Sequence, residues 1–292
     1  MNILRQKFLE DTDVLLNILS DKFRSKSSLN LHHGIFHAEM VTSNALKILN
    51  ILNSDPDINT VLEIIIAGLS HEIGMIETDS QFHGEKSKTI ISKIIFELQS
   101  KGLFQYLSKN NLESIFNAVT EHDKKEIKIS DRTPVSKIVF DADNADAFGF
   151  FGIFRYLAIY KERGWNKADM INGKTINNKF HHSILSNLNF RWEQFDNAIK
   201  PYFENEYKIA NNFFSNIPDQ DSWESLLMDS FLFIDTKTQK ETFELFSQWE
   251  AHSISFNKNK DHIRTFFKKI RSVFNKKISW KYSSLIKLKF GS

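Results

Sequence analysis

Residues 63–75 read EIIIAGLSHEIGM, and this stretch decides the fold prediction. Apolar residues at helical spacing run up to Leu69, and His71 and Glu72 follow directly before Gly74. Neighbouring side chains on a helix point about 100° apart, so one of the pair can bind an ion while the other reaches towards a second. Imidazole and carboxylate together suit Mn, Fe, Co, Ni, Zn or Mg. The stretch therefore predicts an apolar helix that ends in two metal ligands.

The same helical spacing of apolar residues recurs along most of the chain. It covers residues 3–23, 36–52, 61–69, 85–100, 111–122, 134–147 and 149–162. With only 4 Pro and 10 Gly, the sequence has few of the turn-forming residues that a fold of many strands needs. A polar stretch at 167–178 is predicted to be a surface loop, the helical pattern resumes at His182, and Pro201 marks either a kink or the first turn of a new helix. The sequence therefore predicts an all-α fold.

Composition narrows the class of protein. A chain of 292 residues is long enough to bury a sizeable core. The absence of cysteine excludes disulfides and thiolate metal sites, so that any metal must be held by nitrogen and oxygen. The N-terminus, MNILRQKFLE, carries charges where a secretory signal needs an apolar run, and no stretch reaches the roughly 18 apolar residues expected of a membrane span. A cytoplasmic protein is the expectation.

More imidazoles and acids lie at the ends of predicted helices or inside one of them. His33 and His37 stand one turn apart at the start of a helix, where a surface position remains the alternative. Acids inside the apolar stretch at 137–155, KIVFDADNADAFGFFGIFR, are costly unless they are paired, hydrogen-bonded or bound to metal. The candidate ligands, enough to hold two ions with open positions for water and substrate, are His37, His71, Glu72, His83, His122 and Asp143.

In order and spacing, these pieces resemble the HD-domain superfamily of metal-dependent phosphohydrolases over about residues 28–216. The resemblance rests on HGIFHAEMV (33–41), HEIG (71–74), His83 with Ser87, His122, and DADNADA (141–147) followed by Gly149, Gly152 and Arg155. It implies an HD-like helical bundle that hydrolyses a phosphate ester, with a nucleotide as the favoured substrate. It also implies one or two divalent ions, held by His37, His71, Glu72 and Asp143, with His83 and His122 added in two-metal members.

Three further residues receive catalytic roles. His33 is expected to hydrogen-bond a non-bridging phosphate oxygen, and Asp146 or an unligated Asp141 is expected to accept a proton from the attacking water. Asp141 has the alternative of orienting another ligand or lying at a helix surface. Arg155 either contacts the phosphate or forms a structural ion pair with Asp146 or Asp143.

Two positions depart from the superfamily pattern. The carboxylate of Glu72 is one methylene longer than the aspartate of the usual His-Asp doublet. Met75 replaces a basic residue that many members carry, and Lys86 or Lys88 either supplies that charge or lies on a solvated face. Two alternatives to a phosphohydrolase stay open: an HD-type diiron oxygenase with the same ligands, and a catalytically decayed HD-fold protein that binds a nucleotide or a partner.

The sequence is less specific about the substrate. It contains no glycine-rich phosphate loop and no base-reading motif. The aromatic residues next to the acidic helix either stack on a nucleobase or pack in the core, and these are Phe148, Phe150, Phe151 and Phe154. The prediction of a nucleotide substrate therefore rests mainly on the resemblance.

The chain is predicted to have three parts: a leading helix at 1–27, an HD-like metal-binding catalytic domain at 28–216, and a helical, basic C-terminal extension at 217–292. Residues 258–292 hold 11 Lys or Arg against one acid. This tail is expected either to pack across the acidic body of its own chain or to contact anionic lipid or nucleic acid. The sequence leaves a homodimer open.

Overall fold

The computed structural model describes residues 2–26, 33–78, 83–149, 152–153, 155–156, 159 and 176–215, with the backbone alone at 2–5, 36 and 176–183. Within these ranges the regular secondary structure is helical and contains no strand. The predicted all-α fold class is confirmed. The domain boundaries predicted at 27/28 and 216/217, and the basic tail at 258–292, lie outside the described residues.

The described helices follow the apolar periods of the sequence closely. They are α1 (Asn2–Arg24), α2 (Ile35–Leu52), α3 (Ile58–Ser70), α4 (His83–Ser100), α5 (Lys109–Glu121), α6 (Pro134–Asp146), α7 (Ile176–Gln194) and α8 (Glu204–Ser215). Short 3₁₀ turns occupy Ile73–Ile76, Ile129–Asp131 and Lys200–Tyr202.

Two compact units make up the described chain. The first contains α1 to α5, α6 as far as Ala145, and residues 196–199. The second contains the described residues of 146–195 and 200–215. Each unit has its own buried apolar residues and is considered separately.

Helix α3 is the core helix of the first unit. Asp57 caps its N-terminus by accepting a hydrogen bond from the Thr60 N–H at 3.1 Å. Nine of its residues are buried, and it packs against α1, α2 and α5. A fully buried Ile64 or Ile65 contributes about 1.5–3 kcal/mol relative to an exposed position. This packing fixes the C-terminal end of α3, where His71 emerges.

The apolar character of α3 bears on the membrane prediction. Among the described residues, the segment Ile58–Ile76 is long and apolar enough to span a membrane by length and composition, with a mean hydropathy of 1.2. Because 78% of that window is buried inside the protein, the apolar residues serve the core of the first unit.

The second unit has an aromatic core. The ring of Phe148 lies in edge contact with Trp192, Phe195 and Tyr207, at centroid distances of 5.6, 5.5 and 5.8 Å. Trp192 and Tyr207 stack on each other at 4.4 Å, joining α7 to α8. Phe148 therefore takes the core alternative rather than nucleobase stacking, while the other three phenylalanines of that group lie outside the residues whose side chains are described.

One predicted boundary differs from the structure, and the structure favours one of the two alternatives at Pro201. Helix α7 begins at Ile176, six residues before the apolar pattern resumes at His182. Asn177, Asn178 and Lys179 supply no apolar period, so a first turn built from them is invisible to a periodicity argument. Pro201 lies in the 3₁₀ turn just before α8, which favours the helix-start alternative over a kink within one long helix.

Candidate metal centre

Helix ends in the first unit carry most of the predicted ligands. His71 caps the C-terminus of α3, His122 caps that of α5, and His83 is the first residue of α4. His37 lies in the first turn of α2, and Asp143 lies near the end of α6. All five are buried. Ligands far apart in sequence are brought close where α2 and α5 pack on α3, and where α4 packs on α5 and on the 3₁₀ turn Ile73–Ile76.

Gly74 permits the close approach of α4 to the ligand doublet. A Cβ at this position would stand 2.2 Å from the His83 carbonyl oxygen and 2.6 Å from the Ser87 nitrogen. Its N–H donates to the Ser87 hydroxyl at 2.8 Å, which holds the turn after Glu72 against α4. Only glycine leaves room for this arrangement, because the two closest clashing atoms belong to the backbone.

Four of the predicted ligands form the first group. The ligand atoms of His37, His71, Glu72 and Asp143 lie within 4.8 Å of one another. His37 Nε2 is 3.2 Å from His71 Nε2 and 3.3 Å from Asp143 Oδ1. Ligand atoms about 2.1 Å from one ion lie roughly 3–3.5 Å apart, so this spacing suits a bound cation.

The second group shares Glu72 with the first. Its members, Glu72, His83 and His122, also place their ligand atoms within 4.8 Å of one another. His83 Nε2 is 2.8 Å from His122 Nε2 and 3.6 Å from Glu72 Oε1. The rings of His71 and His122 touch edge to face at 4.9 Å and connect the two groups. All six predicted ligands are therefore brought together.

Backbone carbonyls set the tautomer of two of these imidazoles. His71 Nδ1 donates to the Gly68 carbonyl and His122 Nδ1 donates to the Val119 carbonyl, each at 2.7 Å. Burial, with neighbouring imidazoles, lowers the pKa of both rings below the ordinary 6.5. A neutral ring with its proton on Nδ1 presents a lone pair at Nε2. Both Nε2 lone pairs point into the cluster, as a metal ligand requires.

Residues 34–147 match the family model of the HD domain. The chain contains an HD domain. The match includes all six ligand candidates and confirms the resemblance seen in the sequence, while His33 lies one residue before it. The family consists mostly of metal-dependent hydrolases, and its donor set binds divalent metals. No curated protein and no solved structure matched the chain.

The two carboxylate oxygens of Glu72 in this HD domain have different neighbours. Glu72 Oε1 faces the cluster, 3.6 Å from His37 Nε2 and 3.9 Å from His71 Nε2. Glu72 Oε2 instead faces His33 Nδ1 at 2.9 Å. Burial alone would raise the pKa of Glu72, but the charges of His33 and His83 and the hydrogen bonds from His33 and His37 hold it well below its usual value. The carboxylate is thus kept ionised where a cation would bind.

The residues predicted to be catalytic are found in both units. His33 lies against Glu72, as described above. Asp146 and Arg155 are buried in the second unit, where Arg155 Nε is 3.9 Å from Asp146 Oδ2. This contact matches the ion-pair alternative for Arg155. The catalytic roles of all three stay predictions.

Asp141 faces away from the ligand groups of the HD domain. It is fully buried rather than at a helix surface, and its Oδ1 accepts from the Asp196 N–H at 3.3 Å. Burial raises the pKa of Asp141 to about 7. On α6 it lies about 200° around the helix axis from Asp143, which explains why only one of the two joins the cluster.

Sequence reasoning missed two groups near the site. Asp123 directly follows His122 and lies 3.5 Å from His83 Nδ1, and its adjacency to a predicted ligand was the available signal. Lys26, on the turn after α1, donates to the Met75 carbonyl at 2.9 Å, so a cation does lie beside the position where many HD domains carry one. Of the two lysines considered for this charge, Lys86 is exposed and Lys88 is half-buried.

Proposed function

We propose that this HD domain is a metal-dependent phosphohydrolase that cleaves a phosphate ester, with nucleotides as the substrate class. The observation that carries the proposal is the pair of donor groups that share Glu72. Four imidazoles and two carboxylates converge in a buried cluster, and backbone carbonyls aim two of the imidazole lone pairs inward. Such a donor set fits divalent Mn, Fe, Co, Ni, Zn or Mg.

His37, His71, Glu72 and Asp143 would hold one ion, and Glu72, His83 and His122 a second. Divalent ions bound there would lower the pKa of a coordinated water from 15.7 towards about 7 and would polarise a phosphoryl oxygen. The protein supplies the fixed ring orientations, the ionised Glu72 and a largely buried setting that limits competing water.

The catalytic assignments belong to the same proposal. His33 would hydrogen-bond a phosphate oxygen from its position beside Glu72, Asp146 would accept the proton of the attacking water, and Arg155 would neutralise phosphate charge. A cytoplasmic location and a homodimer remain predictions as well.

The experiment combines elemental analysis with a phosphatase screen on the metal-reconstituted full chain. Nucleoside monophosphates and cyclic nucleotides are the substrates to test, with Mn²⁺ or Co²⁺ as the supplied metal. We expect up to two ions per chain, together with phosphate release from a monophosphate or conversion of a cyclic nucleotide to its monophosphate. The ions and the hydrolysis should both be lost in His71→Ala. Asp55→Ala, which changes an exposed acid in the turn between α2 and α3, is the matched control and should behave as the unmodified chain. Phosphate release that persists in His71→Ala would refute the proposal.

The diiron oxygenase remains the second candidate, because four imidazoles and two carboxylates suit iron equally well. Oxygen consumption by a coloured, iron-loaded protein, without phosphate release in Mn²⁺ or Co²⁺, would favour it. The third alternative, a decayed binding protein, finds less support because all six donors are present and face one another.

A further inference from the structure

The imidazoles of the cluster differ in how their outer nitrogens are held. His71 and His122 each stand at the C-terminal end of a helix, where the carbonyl three residues earlier accepts from Nδ1. A metal-bound histidine needs such an acceptor, because it fixes the ring's tautomer and orientation and strengthens the inward nitrogen as a donor.

His83 stands at the opposite end of a helix. It is the first residue of α4. Its Nδ1 instead faces Asp123 Oδ2 at 3.5 Å, and the same oxygen accepts from the Gly84 N–H at 2.9 Å. The carboxylate of Asp123 is nearly buried, and its Oδ1 has no hydrogen-bond partner within the described part of the chain. A buried carboxylate so placed needs positive charge nearby.

Gly84 lets this carboxylate reach the start of α4. A Cβ on Gly84 would stand 2.7 Å from the Thr120 carbonyl oxygen, 2.9 Å from the Val119 carbonyl oxygen and 2.9 Å from Asp123 Oδ1. The end of α5 and the start of α4 are therefore in direct contact. Any side chain at this position would push Asp123 away from His83.

Arg132 holds the loop that carries Asp123. Its guanidinium donates to the Glu121 carbonyl at 2.6 Å and to the Lys124 carbonyl at 2.5 Å, one on each side of the His122–Asp123 pair. It also covers the ring of Phe140 at 3.8 Å. The position of Asp123 is thus set by backbone contacts on both sides, independently of His83.

The geometry points to Asp123 as a positioning residue that holds His83 with Nε2 towards the second ion, in the role that backbone carbonyls play for His71 and His122. With Nε2 bound to an ion, the remaining ring proton stays on Nδ1, and Asp123 is the acceptor that faces it. The inference rests on the proposed metal centre and adds a seventh side chain to it.

The test is a zinc titration of the metal-free full chain by calorimetry, with elemental analysis at saturation. The unmodified chain should bind two ions. Asp123→Asn removes the charge but keeps an oxygen for the Gly84 N–H, and it should weaken the second ion by about 10- to 100-fold while leaving the first unchanged. Asp55→Asn, an exposed acid, is the control. Unchanged binding of the second ion, or equal weakening of both, would overturn the inference.

A double-mutant cycle separates positioning from general structure. In a His83→Ala background, Asp123→Asn should cause no further loss of zinc affinity, because the ring through which Asp123 acts is gone. An undiminished loss in that background would show that Asp123 does not act through His83.

The remaining outcomes separate the two proposals. A chain that binds no zinc refutes the metal centre and this inference with it, whereas two ions bound with the same affinities by the unmodified chain and by Asp123→Asn refute only the inference. The tautomer of His83 can also be measured in the zinc-loaded unmodified chain from its ring nitrogen chemical shifts. This measurement does not depend on whether a variant folds. A protonated Nδ1 with a zinc-bound Nε2 is expected, and the reverse tautomer would overturn the role of Asp123.

Discussion

Two glutamates of the first unit, the buried Glu72 and the half-buried Glu39, have opposite electrostatic surroundings. Around Glu72, at the end of α3, burial is outweighed by His33 and His83 and by hydrogen bonds, and the pKa is held well below its usual value. Around Glu39, on α2, burial acts alone and raises the pKa from 4.5 to about 7. The comparison shows that burial does not decide whether a carboxylate stays charged. The imidazoles around Glu72 do, and they prepare that region for a cation.

The largest expected effect comes from removing the charge of Glu72. Glu72→Gln keeps the size of the side chain but takes the shared carboxylate from both donor groups. We expect loss of both ions and a fall in turnover of more than about 100-fold, beyond the usual cost of losing an orienting partner alone. Elemental analysis measures the metal content, and a colorimetric assay of phosphate release measures the turnover. Retention of both ions would show that Glu72 is not the shared ligand.

Metal removal should lower the stability of the region around Glu72. A ligand at 100 times its Kd stabilises the folded state by about 2.7 kcal/mol, so EDTA should lower Tm by roughly 5–10 °C for a unit of this size. Differential scanning calorimetry with and without EDTA measures the change. Glu72→Gln should show no such shift, and a shift of equal size in that variant would place the stabilising ions elsewhere.

The raised pKa of Glu39 should make the free energy of unfolding depend on pH. Because the folded state binds the proton of Glu39 more tightly than the unfolded state, the free energy of unfolding falls as pH rises from about 4.5 to about 7. Glu39→Gln removes this loss, so the variant should be more stable than the unmodified chain at pH 8, by about 2 kcal/mol once residual solvent exposure is allowed for. The difference should disappear below pH 4.5.

Urea unfolding at pH 4 and pH 8, in EDTA, measures this difference. Asp55→Asn, which neutralises an exposed acid, is the control and should show little change at either pH. A Glu39→Gln variant that is equally stable or less stable at pH 8 would contradict the effect of burial on this group.

The smallest effect is expected from His33, whose Nδ1 lies 2.9 Å from the outer oxygen of Glu72. His33→Ala should leave both ions bound but weaken them by about tenfold, since it removes a partner that supports the charge of Glu72. Zinc titration calorimetry measures the affinities. Loss of one whole ion would mean that His33 is itself a ligand.

Local signals account for the features that the sequence predicted well. Apolar periods located the helices of the first unit, and the ligands at His71 and His122 stand where those periods end. The prediction that these two ligands lie close in space came from the family resemblance, because they are 51 positions apart and no local pattern joins them. The all-α class followed from the same periods.

Tertiary contacts account for what the sequence did not predict. The different roles of the two Glu72 oxygens depend on His33, 39 residues earlier, and Asp123 reaches His83 only through the packing of α4 on α5. The partial burial of Glu39 is likewise a property of packing, since a glutamate on an amphipathic helix carries no local sign of how deeply it is packed. The early start of α7 was missed because a polar first turn has no apolar period.

The contact between Gly74 and α4 has a consequence for natural variation and for engineering. Because the two closest clashing partners of a Cβ at this position are main-chain atoms of residues 83 and 87, no compensating side-chain change could relieve the crowding. In a library that places every amino acid at position 74, only glycine should give a folded protein. At the next position, the carbonyl of Met75 rather than its buried side chain accepts the hydrogen bond from Lys26, so apolar replacements of similar size would leave that link intact. Tolerance to mutation should thus change abruptly between two adjacent positions.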